Sequence, residues 1–254
     1  MKDTLSTVAY HEALGKDYFR LGLRTTWTPF TPGQFAMLQV PSDGGVLLRR
    51  PFSLARQEGE VTEILYKVVG RGTANLKKLP VGAALKILGP LGKGFSFDPV
   101  SGPRVAVAGG YGIAPFWEYA VQLKKRGESL EVFYGARSRA DLLYLEELQT
   151  AGAQVHCSTE DGSEGYHGLV TDLLRQRFPE GGVGRVYSCG PWGLLKAVGH
   201  WCREQGIAGE LSIEEAMGCG TGVCLGCVVS DSEGNYLRAC KEGPVFLADG
   251  LDLN

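Results

Sequence analysis

A chain of 254 residues, 44% hydrophobic and 21% charged with a formal net charge of -2, has the composition of a soluble globular protein and room for two domains plus a small module. The near-zero charge argues against a nucleic-acid-binding surface as the main function, and no run approaches the ~20 apolar residues of a membrane span. The opening residues, MKDTLSTVAYHEALGKDYF, carry no apolar stretch behind a basic start, so no secretory signal is predicted and a cytoplasmic, reducing location is expected.

From the start to about residue 99 the chain reads as short alternating strands. YFRLGLRTTW puts Phe19, Leu21 and Leu23 on one face and Arg20 and Arg24 on the other; VTEILYKVV does the same with Ile64, Tyr66 and Val68. Turn signals (TPG, SDGG, LPVG, GPLGKG) separate these runs, which predicts an antiparallel β-barrel. Within it, RRPFSLA offers Arg50 beside a Pro-fixed turn and the Ser53 hydroxyl, a pattern that suits a phosphate and equally a solvated rim. Gly70, Gly72 and Thr73 form a small-residue turn whose N–H groups suit the same anion.

After DPVSGPR the period changes. RVAVAGG is a nearly continuous apolar run, as expected of a strand covered on both faces. PFWEYAVQLKKRG follows with Phe116, Tyr119, Ala120 and Leu123 at helical spacing and Gly127 as the stop. Then come SLEVFYGAR (strand), ADLLYLEELQ and GLVTDLLRQRF (helices), GRVYSCG (strand) and PWGLLKAVGHWCREQG (helix). This alternation predicts a parallel α/β domain over 100–209. Its first βα turn, VAVAGGYGIAPF, reads G-x-G-x-x-P across Gly110, Gly112 and Pro115, which fits a pyrophosphate at a helix start or a purely structural turn. GAR and SCGP lie at the ends of later strands, where open α/β sheets bind ligands. Arg137 and Arg139 there could meet a 2′-phosphate or stay solvated, so NAD and NADP both remain open.

The tail, 210–254, is rich in Gly and Cys and too small for a hydrophobic core of its own, so it is expected to depend on a metal centre. Cys219, Cys224 and Cys227 follow C-x4-C-x2-C with Cys240 further on, the plant-type ligand spacing of a 2Fe-2S cluster. Gly218, Gly220, Gly222 and Gly226 let the backbone wrap the cluster and bring N–H groups to its sulfurs. A structural zinc favours C-x2-C pairs and finds one here; four ordinary buried thiols are the other alternative. Cys157 and Cys202 read as core thiols, and His11, His156, His167 and His200 show no metal-ligand spacing. No Ser/His/Asp order or Cys/His pairing suggests hydrolysis, and no catalytic acid or base is assigned.

The order RPFS, YKVVGRGT, GPLGKGF, GGYGIAP, YGARS, YSCGP resembles the ferredoxin–NAD(P) reductase superfamily. With the cysteine loop and CKEGPVF added, it resembles the electron-transfer subunits of class B dihydroorotate dehydrogenases over essentially the whole chain. The resemblance implies a ferredoxin-reductase-like fold: an FAD barrel over 1–99, an NAD domain over 100–209 and a 2Fe-2S module over 210–254. It implies that Arg50, Pro51, Phe52, Ser53, Leu65, Tyr66, Lys67, Gly72 and Thr73 bind FAD. Gly109, Gly110, Gly112, Pro115, Arg137, Cys189, Gly190 and Pro191 would serve the nicotinamide nucleotide, with Cys189 either near the nicotinamide or a buried structural thiol. Cys219, Cys224, Cys227 and Cys240 would hold the cluster. The implied role is a relay between an FMN-bearing catalytic subunit that oxidises dihydroorotate and NAD+, in a heterotetramer of two plus two. The small subunit of a bifurcating NADH-dependent ferredoxin–NADP reductase or sulfide dehydrogenase shares these modules. A zinc-stabilised interaction module without redox activity is the reading of another class.

Overall fold

The structure, a computed structural model, describes residues 2–15, 17–27, 29–41 and 45–253. Residues 42–44 of the SDGG turn signal lie outside the described residues. Strands β1 (Lys2–Ala13), β2 (Tyr18–Arg24), β3 (Phe35–Leu38), β4 (Arg50–Glu58) and β5 (Val61–Lys67), helix α1 (Arg71–Leu76) and strand β6 (Ala84–Leu91) build the first half. The six strands close a barrel in the order β1-β2-β5-β4-β3-β6, so no edge is left to pair with another chain.

The alternation read in β2 holds: Leu21 and Leu23 are fully buried inside, while Arg24 is exposed. On β5 the outer face is buried too, because it lies against the second half of the molecule. Glu63, at 4% exposure, accepts hydrogen bonds from the Tyr10 and Tyr144 hydroxyls, both at 2.5 Å. A period-2 pattern cannot announce an outer face that another domain covers. The segment read as a GRGT turn is the start of α1, whose first turn is tied by Thr73: its hydroxyl accepts from the Val69 and Gly70 amides at 2.9 and 3.2 Å.

The second half comprises β7 (Arg104–Gly109), α2 (Ala114–Lys125), β8 (Glu131–Ala136), α3 (Leu145–Thr150), β9 (Gln154–Thr159), β10 (Tyr166–His167), α4 (Val170–Arg177), β11 (Arg185–Cys189), α5 (Trp192–Gln205) and β12 (Gly209–Ser212). Its tail adds β13 (Val228–Ser230), β14 (Tyr236–Arg238) and β15 (Val245–Leu247). The sheet runs β10-β9-β8-β7-β11-β12-β15, parallel except for β15. Helix α3 is shorter than the ADLLYLEELQ pattern predicts. Leu142, Leu143 and Tyr144 leave the helical path to fill the core, and Tyr144 adopts a left-handed φ of 58°.

The tail is not self-contained. Residue 210 falls inside β12, and β15 returns to the sheet as its antiparallel edge. Cys227, Ala239, Cys240, Phe246, Leu251 and Leu253 share one hydrophobic cluster with Val105, Val107, Val186 and Trp201. The cysteine segment therefore borrows the core of the nucleotide domain, in keeping with a tail too small to build a core of its own. Ser96, just past the barrel, donates through its amide and hydroxyl to Glu210, and Arg185 donates to both partners, locking barrel to sheet. Among the described residues no helix is long and apolar enough to cross a membrane.

Candidate functional site

At the mouth of the barrel, the ends of β4 and β5 and the start of α1 wall a cleft of about 650 Å³. All nine residues assigned to FAD from the sequence line it: Arg50, Pro51, Phe52, Ser53, Leu65, Tyr66, Lys67, Gly72 and Thr73. Pairing of β4 with β3, Phe35 opposite Ser53, fixes the RPFS segment at the rim. Arg50 lies over Gly72, where an added Cβ would sit 3.5 Å from its Nε, so the guanidinium and the α1 amides face one space. The Tyr66 hydroxyl does not point into the cleft; it meets His11 Nε2 at 2.7 Å, and its ring stacks on Phe19 at 5.5 Å. The far wall is residues 212–217 and Pro244, which sequence reading did not assign to this site.

A second cleft of about 740 Å³ opens at the C-terminal ends of β7, β8, β9 and β11. Gly109, Gly110, Arg137, Gly190 and Pro191 line it. Gly112, Pro115 and Cys189 do not. Gly112 presses on β11, where a Cβ would stand 2.3 Å from the Cys189 carbonyl oxygen, and Pro115 is buried in the first turn of α2. Cys189 is 1% exposed, and burial pushes its thiol up. These three shape the turn from behind.

Lys67, Val69 and Tyr111 line both clefts. Lys67 donates to the Tyr18 hydroxyl at 2.9 Å, which in turn donates to Asp141 at 2.8 Å. Hydrogen bonding to Tyr18 raises the Lys67 ammonium. Burial opposes ionisation of Asp141, yet Tyr18, Ser138 and Lys67 together hold its carboxyl below the usual range. A cation is thereby fixed where the two clefts meet.

The four loop cysteines fall into two pairs. Cys224 hydrogen-bonds Cys219, and the Cys240 amide donates to Cys227 Sγ at 3.4 Å. Hydrogen bonds from Thr221 and Cys224 hold the Cys219 thiol down at about 5, whereas burial and Cys227 push Cys240 up to about 12. Among the described residues no three His, Cys, Asp or Glu side chains gather as a single metal ion would require. Two pairs with amides aimed at sulfur, including Thr221 N on Cys219 at 3.3 Å, suit a two-iron cluster better than one tetrahedral zinc. Gly220 makes the wrap possible: it takes a φ of 72°, and a Cβ there would meet Met37 Cγ at 2.5 Å.

Arg238 and Glu242 brace the loop, the guanidinium donating to Glu242 at 2.5 and 2.9 Å and to the Gly222 carbonyl at 3.1 Å. Hydrogen bonding from Arg238 holds the Glu242 carboxyl down at about 2, against an ordinary 4.5. A depressed carboxylate stabilises the folded chain fully above its ordinary value and loses that contribution as pH falls toward about 2. Allowing for solvent screening, Glu242→Gln is expected to lose ~1 kcal/mol at about pH 7 in urea unfolding, with the gap to the native protein narrowing by about pH 3. A gap that widened in acid would contradict this account.

Two family models match the chain: the iron-sulfur cluster binding domain of dihydroorotate dehydrogenase B over residues 214–252 and the oxidoreductase NAD-binding domain over 106–200. The dihydroorotate dehydrogenase B (NAD(+)) electron transfer subunit of Bacillus caldolyticus is 40% identical over 224 residues, 85% of each chain. That of Listeria monocytogenes serovar 1/2a is 38% identical over 229 residues, 88% of each. The chain belongs to the family of dihydroorotate dehydrogenase B electron transfer subunits.

As a member of that family it is an oxidoreductase subunit, and its cofactor set is FAD, a 2Fe-2S cluster and NAD. Membership implies a separate catalytic dihydroorotate dehydrogenase subunit as partner. Among solved structures, the NADH-dependent reduced ferredoxin–NADP oxidoreductase superposes with a TM-score of 0.87 at 27% identity, over 98% of this chain and 90% of that one. The ferredoxin-reductase-like fold expected of the family is the one observed. Sequence reading of this electron transfer subunit missed Tyr18, Val69, Tyr111 and Asp141. Only Tyr111 carried a signal, a bulky residue inside the glycine turn.

Proposed function

We propose that this chain relays electrons released by dihydroorotate oxidation on an FMN-bearing catalytic partner to NAD+, with Cys219, Cys224, Cys227 and Cys240 as cluster ligands. FAD and the cluster supply, when bound, the conversion between one-electron and two-electron transfer, which neither NAD nor iron–sulfur chemistry achieves alone. The chain's residues bind and place these groups. Arg50, Ser53, Gly72 and Thr73 hold the FAD phosphates; Gly109, Gly110, Gly190 and Pro191 receive the nucleotide.

One observation carries the reading: the flavin cleft is contiguous with both of the other sites. On one side it shares Lys67, Val69 and Tyr111 with the nucleotide cleft. On the other its wall, residues 212–217, leads directly into Cys219, and its Pro244 follows closely on Cys240. Beside the exposed Cys224, Val223 and Leu225 are 81% and 59% exposed, an apolar rim suited to a partner that takes up or delivers single electrons. We assign the assembly two copies of each subunit and a cytoplasmic location.

The long superposition on the bifurcating reductase supports a second reading, a small subunit of that kind. Co-expression with the catalytic subunit separates them. The purified pair is expected to show flavin bands over a broad red-brown cluster absorption and to reduce NAD+ on addition of dihydroorotate. A pair that reduces NAD+ from another donor and ignores dihydroorotate would favour the second reading. A colourless protein holding zinc would sink both.

A further inference from the structure

We propose that Asp141, a residue of the nucleotide domain, sets the reduction potential of the flavin held by the barrel, by balancing the charge of Lys67 through the bridging Tyr18 hydroxyl; this rests on the reading of the two clefts above. Two electrons and one proton give the reduced flavin one negative charge more than the oxidised form, so a fixed charge beside the ring shifts its potential. Hydride transfer needs the reacting atoms about 3–3.5 Å apart, which brings the flavin ring and the nicotinamide together where the clefts meet. Among the described residues, Lys67, Val69 and Tyr111 line both clefts, and Lys67 is the charged one. Arg137 lines the nucleotide cleft only, and Glu214 and Glu215 the flavin cleft only.

The lysine does not stand alone. Lys67 and Tyr18 face each other in the β2–β5 register, and the ammonium lies 4.6 Å from the Tyr18 ring centroid as well as 2.9 Å from its hydroxyl. That hydroxyl donates to Asp141 at 2.8 Å, and the ammonium itself stands 3.9 Å from the same carboxylate. Asp141 is mounted on its own domain, in the segment between β8 and α3. Its amide donates to the Ser138 carbonyl at 3.0 Å, and its carbonyl accepts from the buried Tyr134 hydroxyl at 3.2 Å. Its second carboxylate oxygen accepts from the Ser138 hydroxyl at 2.9 Å. Barrel and nucleotide domain thus contribute opposite charges to one network.

The balance has a use. A lone ammonium at the junction would hold the anionic flavin more tightly and repel the cationic ring of NAD+, so hydride would leave the flavin less readily. Tyr18 takes one of the ammonium's hydrogen bonds, and Asp141 offsets its charge. Two N–H donors stay available for the bound groups, with much of the electrostatic bias removed.

Equilibrium titration of the flavin bound to the full chain, against a reference dye, tests this without turnover. Asp141→Asn keeps an acceptor for Tyr18 and removes one negative charge. The reduced flavin should then gain at least ~10-fold in its equilibrium with the dye, a rise of about 30 mV for two electrons. Lys67→Met keeps the length of the side chain and removes the cation, so the potential should fall by a similar amount. Combined in one protein, the two changes should bring the equilibrium back to within ~3-fold of native. Tyr18→Phe alters no charge and should shift it less than either. A purely structural role would move both single variants the same way and leave the double variant worse. Shifts of one sign, potentials unchanged in both, or a double variant no nearer to native would overturn the assignment. Should one single variant fail to bind flavin, the sign of the other decides. If the native chain bound FAD but NADH did not reduce it, the reading of adjoining clefts would fall, and the inference with it.

Discussion

Replacing Cys240 by Ser is expected to abolish electron flow between the catalytic partner and NAD+, while NADH still reduces the flavin. Cys240 is 2% exposed and packs in the hydrophobic cluster that joins the tail to the nucleotide sheet. A serine hydroxyl is a hard, weakly acidic oxygen that replaces a thiolate poorly on iron. In the same buried position it also introduces a polar group in place of a thiol, at about 1–3 kcal/mol unless it finds an acceptor. Two effects thus coincide, and they separate by control. Cys202→Ser makes the same exchange at a fully buried thiol outside the loop, so it should lower stability and leave iron and sulfide intact. For Cys240→Ser, iron and sulfide content should fall toward zero, and dihydroorotate-linked NAD+ reduction should drop at least ~100-fold. NADH-dependent dye reduction through the flavin should stay within a few-fold, because the flavin and nucleotide clefts lie on the other side of residues 212–217. A Cys240→Ser protein that kept the cluster absorption and full turnover would remove Cys240 from the ligand set.

What could be read from the chain beforehand divides along contact range. The cysteine spacing was legible because three of the four sulfurs sit within nine residues of one another and the constraint between them is local. That the nine residues assigned to FAD meet in one cleft has a related reason: RPFS, LYK and GT are contiguous segments, and the pairing of neighbouring strands delivers them to one rim. The Tyr18–Asp141 hydrogen bond joins residues 123 apart, and nothing near either one marks it. Strands β12 and β15, four and three residues long and covered by neighbours, are too short to show a period. Their absence from the reading is why the tail looked separable from the sheet that holds it. Cys189 shows the same limit. SCGP at a strand end marks a ligand-binding position, but only packing decides whether the thiol faces the ligand or the core, and here it faces the core.

Gly112→Ala is expected to be among the most damaging single-methyl additions in the chain. The new Cβ would stand 2.3 Å from the Cys189 carbonyl oxygen, 2.6 Å from its carbonyl carbon and 2.8 Å from Gly190 Cα. All three are backbone atoms, so no rotamer change relieves the contact. Cys189 is moreover the last residue of β11, held opposite Ala108 of β7 in the parallel register. Relief requires the glycine turn to lift off β11, against the hydrogen bonds of the central strand pair. Overpacking of this kind costs about 3 kcal/mol or more, which for a chain of this size lowers the melting temperature by roughly 6–12 °C. The turn carries Tyr111 between the two clefts, so the same shift displaces the wall where flavin and nicotinamide must meet. Flavin reduction by NADH should fall ~100-fold, with the loss divided between weaker nucleotide binding and slower hydride transfer. Gly193→Ala supplies the contrast: Gly193 itself lines the nucleotide cleft, but its added Cβ would meet nothing within 4 Å, and the variant's stability should stay within ~0.5 kcal/mol of native. If the two variants melted together and reduced flavin alike, close packing of the turn on β11 would not be what positions the nucleotide site. If only Gly112→Ala fails, the glycine that aligns with a ligand-binding motif is there to let two backbones touch.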